Sequence, residues 1–300
     1  MSFKWFRVFL LTAFLPMAFA SDGGATIYPV GAETAMPGLL PPPGKTILAN
    51  FENFYQANGL MDGRGHSVIP GFHLRVGAVA FKVIHNWGVK AFGGTLVSSA
   101  ALPVLYLHLD GPFGSYRKTG LGNPDLGLVE VAYGKGSWHW WYGVDGFTPG
   151  PSYNKNDILN VGQHNFAFAP AGAFTWMPRQ GRNELSSRFQ YIVNFANPAT
   201  EYRTGREFMW EYAGMHNVTK ALSVGGNGYY YQQTSDDLLN GIAVPGGNRG
   251  RVIAVGPQFK YRVGRAELIV KYQKDTLVQN RPRGNSFWAE VGVPLWRHEN

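Results

Sequence analysis

Side chains able to do chemistry are plentiful in this 300-residue chain, but their spacing does not suit catalysis. The eight histidines (His66, His73, His85, His108, His139, His164, His216 and His298) are dispersed, without metal-ligand spacing. There is no cysteine and no G-x-S-x-G, H-E-x-x-H or C-x-x-C run. Gly120 to Gly127 carries spaced glycines, yet it includes Pro124 and precedes an extended segment, which makes it a turn rather than a phosphate cradle. A lipid hydrolase would need a Ser–His pair at adjacent outward positions near one rim, and no such spacing stands out. No catalytic, metal or cofactor site is expected, and the chain reads as a non-enzyme.

What the polar residues do show is a rhythm of two. From Glu184 to Phe195, Leu185, Phe189, Tyr191 and Val193 fall on one side of an extended chain. Ser186, Arg188, Gln190, Ile192 and Asn194 fall on the other. The run is about twice the usual strand of roughly 5–6 residues. Elsewhere the same rhythm collects an inward set: Arg75, Asp145, Arg188, Gln190, Glu207, Glu211, Lys260, Arg265, Glu267, Lys271 and Glu290. Trp141 and Trp288 share that side, where they could stack a ligand. Such charges either pair and brace an interior or line a polar path, since both uses take the same residue types. Ile192 is the apolar exception. It is expected to point inward as part of an apolar patch, and a register slip of one would turn it out.

The elements that must hold this rhythm are strands. About twelve strand-like segments fall near 46–55, 72–84, 87–98, 123–134, 137–147, 164–176, 185–195, 205–215, 221–232, 250–261, 265–274 and 285–296. None shows a sustained 3.6-residue period, so the chain is all-β. The gaps alternate: 85–86, 135–136, 216–220 and 262–264 are short, whereas 56–71, 99–122, 148–163, 233–249 and 275–284 are long. A soluble sandwich has no reason to segregate loop length in this way. A closed antiparallel transmembrane β-barrel of about 12 strands does, with short periplasmic turns and long extracellular loops. Crossing the hydrocarbon takes about 9–11 tilted residues per strand, and a bilayer leaves no sheet edge unpaired. Leu102 to Leu109 either prolongs the third strand or covers the barrel mouth. Gly93-Gly94 and Gly225-Gly226 lie inside strand patterns, where glycine marks a kink or a close approach. Phe51, Phe54, Tyr55, Trp87, Trp138, Trp140, Trp176, Trp210 and Trp296 read as an interfacial aromatic girdle.

Composition agrees with a surface that is not wholly in water. Only 15% of residues are charged, against about 25% in a typical soluble domain. Residues 1–20 read as a secretory signal: Lys4 and Arg7, an apolar stretch from Val8 to Phe19, and Ala18-Phe19-Ala20 before Ser21. An exported chain without cysteine suits a protein that crosses an oxidising periplasm unfolded. Lys and Arg are scattered without a run of five, so nucleic acid is not expected as a partner.

Residues 21–45 form a Pro/Gly-rich segment ahead of the barrel (46–296), and residues 297–300 form a short tail. Tyr28, Pro29, Pro41, Pro42 and Pro43 are the candidates for plugging the lumen. At YPVG (Tyr28 to Gly31) and MPGLLPPPGKTILANFENFY (Met36 to Tyr55) the chain resembles the bacterial outer-membrane family of phenol-degradation meta-pathway transporters. WGVKAFGG and GNPDLG extend the resemblance along the chain. It implies passive uptake of small hydrophobic molecules, with aromatic compounds as one candidate class, and brings no catalytic residue. One departure is the C-terminus, where Trp296 is followed by Arg-His-Glu-Asn instead of ending the chain. The expected partners are membrane lipid and lipopolysaccharide, small hydrophobic solutes and the barrel-assembly machinery. The expected state is a monomer in the outer membrane. The alternatives are a structural or surface-interaction protein of that membrane or, less favoured, a lipid hydrolase.

Overall fold

The computed structural model describes residues 25–296. The signal peptide and the C-terminal tail read from the sequence lie outside the described residues. In chain order the strands are β1 (Thr46–Leu60), β2 (His73–Ala91), β3 (Gly94–Gly111), β4 (Gly114–Leu121), β5 (Asp125–Lys135), β6 (Trp138–Phe147), β7 (Ala167–Trp176) and β8 (Asn183–Asn194). They continue as β9 (Tyr202–Arg203), β10 (Glu207–Asn217), β11 (Leu222–Gln233), β12 (Leu238–Leu239), β13 (Ile242–Ala243), β14 (Arg251–Val263), β15 (Ala266–Gln279) and β16 (Pro282–Pro294). Twelve of these form one antiparallel ring, in which β1 pairs with both β2 and β16 and so leaves no edge. β4 folds back as a hairpin on the far half of β3, and β9, β12 and β13 make a small sheet in the long loops. Among the described residues, no helix is long and apolar enough to cross a membrane.

The faces are sorted in reverse of a soluble protein. On β2, Lys82 is buried while its neighbours Phe81 (58% exposed) and Val83 face out. Phe168, Phe189, Trp210, Val255, Phe259, Leu268 and Phe287 continue this exposed apolar band round the ring. A band of that extent is stable only against lipid. Prolines sit within it at a cost to the ladder. The β14–β15 pairing stops at Val255↔Lys274 and resumes at Gln258↔Lys271, around Pro257, which has no N–H to give. The Asn227 amide repairs this gap from inside, donating to the carbonyls of Gly256, Pro257 and Tyr272 at 3.1, 3.0 and 3.4 Å.

Several boundaries differ from the sequence reading. The second strand does not turn at His85-Asn86 but runs on to Ala91, and the turn falls at Phe92-Gly93, both with positive φ (50° and 82°). Gly93 is therefore a hairpin residue and not a kink inside a strand. Asn86 stays extended because its N–H and C=O bond the leader at Lys45 and Gly44. Leu102 to Leu109 prolongs β3. The long loop expected at 275–284 shrinks to the two residues Asn280-Arg281, with Asn280 taking φ 50°. Gly225 is no bulge, since the β10–β11 register is continuous; a Cβ there would strike the Gly214 carbonyl across the pair. Phe51 and Tyr55 leave the girdle. Their cross-strand partners Glu290 and Ser286 are buried inside, and the Tyr55 hydroxyl donates to Asp275.

Candidate functional site: a barrel interior threaded by the leader

The leader runs inside the ring, and many of its polar groups meet a wall residue. Its Pro-rich backbone cannot join a ladder, so side chains of the wall take the place of a neighbouring strand. Near one end, the Tyr28 hydroxyl donates to Glu211 (3.0 Å) on β10, and the Gly31 N–H donates to the same carboxylate. Lys271 on β15 donates to the Ala32 carbonyl (2.6 Å) and to Thr34 (3.0 Å), whose hydroxyl donates to Gln258 on β14 (2.7 Å). Further along, the Met36 N–H donates to Glu184 (3.0 Å), and Trp141 on β6 donates to the Pro37 carbonyl (2.7 Å). Asn86 on β2 holds the Pro41 carbonyl at 2.8 Å. Six strands thus grip one extended segment.

Charge is concentrated at Glu33. Its carboxylate pairs with Lys82 on β2 and with Arg188 Nε on β8 (3.0 Å), and so bridges opposite walls. Arg188, 1% exposed, also pairs with Asp145 (2.9 Å) and lies 3.8 Å from Glu211. Its guanidinium stacks 4.5 Å over the Tyr28 ring. A second pair joins Lys271 to Glu290 (2.6 Å), with Lys271 5.3 Å over the Trp288 ring. A third joins Lys260 to Glu184 (2.6 Å). Buried charges at this density are tolerable only when paired and hydrogen-bonded. Among the described residues, no His/Asp/Glu group has the arrangement of a metal site.

Above the charged layer, toward the long loops, the interior becomes apolar. Ile27 and Tyr28 of the leader pack into a buried cluster with Phe147, Ala169, Ile192, Met209, Tyr231 and Val252. Ile192 is fully buried there. Glu207 borders the cluster, accepting from Tyr231 (2.6 Å) and Asn194 (3.1 Å). Gln190 donates to Asp145 at 2.8 Å.

The structure does not gather every inward candidate. Arg75 is on the outer face of β2, in phase with exposed Val79 and Phe81; the inward phase belongs to even-numbered Lys82. It tolerates that position because it lies near the loop end, where the head group meets water. Arg265 is in the β14–β15 turn and donates to the Pro294 carbonyl (2.9 Å). Glu267 lies at the short-turn rim, paired with Arg262 at 2.9 Å. Of the leader candidates, Tyr28 and Pro41 are buried, whereas Pro29, Pro42 and Pro43 are exposed. Glu33, Lys82, Glu184 and Thr34 escaped the sequence reading. Lys82 carried a signal, a lone lysine alternating with Phe81 and Val83. Glu33 carried only its rarity, one of two acids in residues 21–45.

Two glycines make the close fit possible. Gly31 has φ 92°, and a Cβ there would collide with Gln273 and Tyr229. Gly38 lies directly on the backbone of Phe174, Thr175 and His139, with its N–H on the Thr175 hydroxyl (3.0 Å). Gly38→Ala is expected to cost about 1–3 kcal/mol by overpacking. The measurements are thermal unfolding and the rate of proteolysis within residues 25–45. An unchanged rate would show that the contact does not hold the leader.

A closed ring with a lipid-compatible outer band and an interior filled by its own leader defines an outer-membrane β-barrel. The family model described as "Putative MetA-pathway of phenol degradation" matches residues 57–291, and the chain belongs to that family. The COG4313 outer membrane channel from Pseudomonas putida F1 superposes with a TM-score of 0.74 at 16% identity, covering 85% of this chain and 97% of that one. The β-domain of the Bordetella autotransporter BrkA gives 0.48 at 12% identity, covering 83% of this chain and 99% of that one. The CymD monoaromatic hydrocarbon channel gives 0.44 at 8% identity, covering 86% and 90%. No curated protein matches the chain.

Proposed function

We propose that this barrel is a channel for passive uptake of small hydrophobic molecules, aromatic compounds among them, and that it does no covalent chemistry. The observation that carries this reading is the buried apolar cluster around Ile192, at the loop end of the lumen beside the charged layer. A purely structural barrel gains little from an apolar layer at that depth. A hydrophobic solute, slowed by the lipopolysaccharide leaflet, gains a region of low transfer cost. The family's link to phenol degradation supports an aromatic cargo. In the same proposal the leader is the plug: the solute passes as residues 25–41 shift, while the charged layer keeps ion flow low. The barrel works as a monomer surrounded by lipid and lipopolysaccharide, inserted by the barrel-assembly machinery.

Liposomes holding the protein should take up a monoaromatic solute faster than empty liposomes and faster than they take up a sugar. Ile192→Asn should cut the aromatic flux about tenfold, the effect of losing one buried aliphatic contact of about 1.5 kcal/mol. Aromatic uptake no faster than in empty liposomes would overturn the proposal. It would favour the surface-interaction reading, for which the ordered β9–β12–β13 loop sheet offers a platform.

A further inference from the structure

Outside the lumen, the outer wall of β1 to β4 carries a row of cations that the channel reading does not use. Direct cross-strand pairing aligns Arg75 on β2 with His108 on β3, and His108 with Arg117 on β4. Adjacent strands are about 4.8 Å apart, so the two guanidiniums flank the imidazole with their backbones about 10 Å apart. Arg75 Nη1 lies 3.3 Å from His108 Nδ1, and His108 Nε2 lies 3.1 Å from Asp110 and 3.2 Å from Ser115. Asp110 is the one acid at the row. Among the described residues, no carboxylate lies within ion-pair distance of Arg75 or Arg117, and both are exposed.

One rung nearer the membrane centre the wall changes character. Gly77 sits directly below Arg75 and lies between Phe54 and Tyr106 on the neighbouring strands; Phe287 lies beyond Phe54. Without a side chain at Gly77, these rings border a groove of about 410 Å³. The groove ends one rung further on, at the exposed carboxylate of Glu52, which limits how deep an apolar chain can lie.

We propose that this wall binds the phosphorylated, multi-acyl glycolipid of the outer leaflet. A phosphate is held by Arg75 and Arg117, and one acyl chain lies in the groove over Gly77. The long-loop end of an outer-membrane barrel faces outward, which puts the arginine row at the head-group level of that leaflet. Guanidinium forks suit phosphate oxygens, and a partly desolvated interface strengthens such bonds. Two arginines without a carboxylate partner, set above an apolar groove, are complementary to a lipid with an anionic head, and to little else at that depth.

The test is native mass spectrometry of the folded full-length barrel in detergent, titrated separately with bisphosphorylated lipid A, phosphatidylglycerol and inorganic phosphate. Lipid A should bind, and the double variant Arg75→Glu, Arg117→Glu should weaken it about tenfold or more, a loss of about 1.4 kcal/mol or more. Gly77→Leu, whose Cβ meets only the Tyr106 Cβ at 3.9 Å, should fit without strain, fill the groove and weaken lipid A with the row intact. Both variants should keep the folded mobility of the parent on unheated gels, because all three positions are on the outer face. Undiminished lipid A binding in the charge-reversed barrel would overturn the proposal. Equal affinity for phosphatidylglycerol, or displacement of lipid A by inorganic phosphate alone, would overturn it too.

Discussion

Arg188→Ala is expected to destabilise the folded barrel by about 3–5 kcal/mol and to release the leader from its wall. Arg188 faces Glu33, Asp145 and Glu211 from a position 1% exposed, and its guanidinium covers the Tyr28 ring. Removing it leaves three carboxylates of which only Glu33 keeps a direct ion-pair partner, Lys82. Leaving a buried charge uncompensated costs far more than a surface ion pair is worth, because water cannot replace the lost partner without breaking the packing. Urea unfolding in lipid vesicles measures the loss, and proteolysis of residues 25–45 reports the leader. Arg188→Lys restores one charge but not the fork that reaches several carboxylates, so it should recover only part of the stability. A variant as stable as the parent would mean that water already solvates this layer.

Removing residues 25–44 should have the larger effect on transport. The leader supplies Glu33, the Tyr28 ring, the Thr34 hydroxyl on Gln258 and the backbone groups that occupy Lys271, Glu184 and Asn86. Without it these wall groups face an open lumen and take up water. Ion conductance in planar bilayers should then rise at least tenfold, as a barrier lowered by about 1.4 kcal/mol would give. The ring itself should survive, because β1 closes on β16 through a ladder from Ile47↔Pro294 to Leu60↔Pro282 that does not involve the leader. Unchanged conductance in a folded truncated barrel would rule out the plug. Conductance that rises while aromatic uptake stays at the empty-liposome level would separate the plug from the cargo proposed for it.

The sequence showed most where the physics is local. A strand with lipid on one face and the interior on the other must alternate for its whole length, so the twelve barrel strands and the all-β class were legible in residues such as Glu184 to Phe195. Strand ends were less so. His85-Asn86 looks like a turn by composition, but the backbone of Asn86 is held extended by Gly44 and Lys45, which come from a segment with no strand signal. Asn280-Arg281 closes a hairpin where a longer loop seemed needed, because Asn280 accepts a positive φ that most residues avoid. Arg75 was assigned to the wrong face for a related reason: polarity suggests the interior, but near the loop end both faces are wet and polarity no longer discriminates.

The leader marks the boundary most clearly. Its prolines and glycines showed that residues 21–45 could form neither helix nor ladder, and Gly31 and Gly38 were visible as letters. That Gly38 lies on Thr175, or that Glu33 joins β2 to β8, depends on which strands face each other across a closed ring. That arrangement is set by strand number, tilt and stagger acting together. Alternation along one strand reports which side a residue is on. Only closure of the ring decides what it meets on the far side.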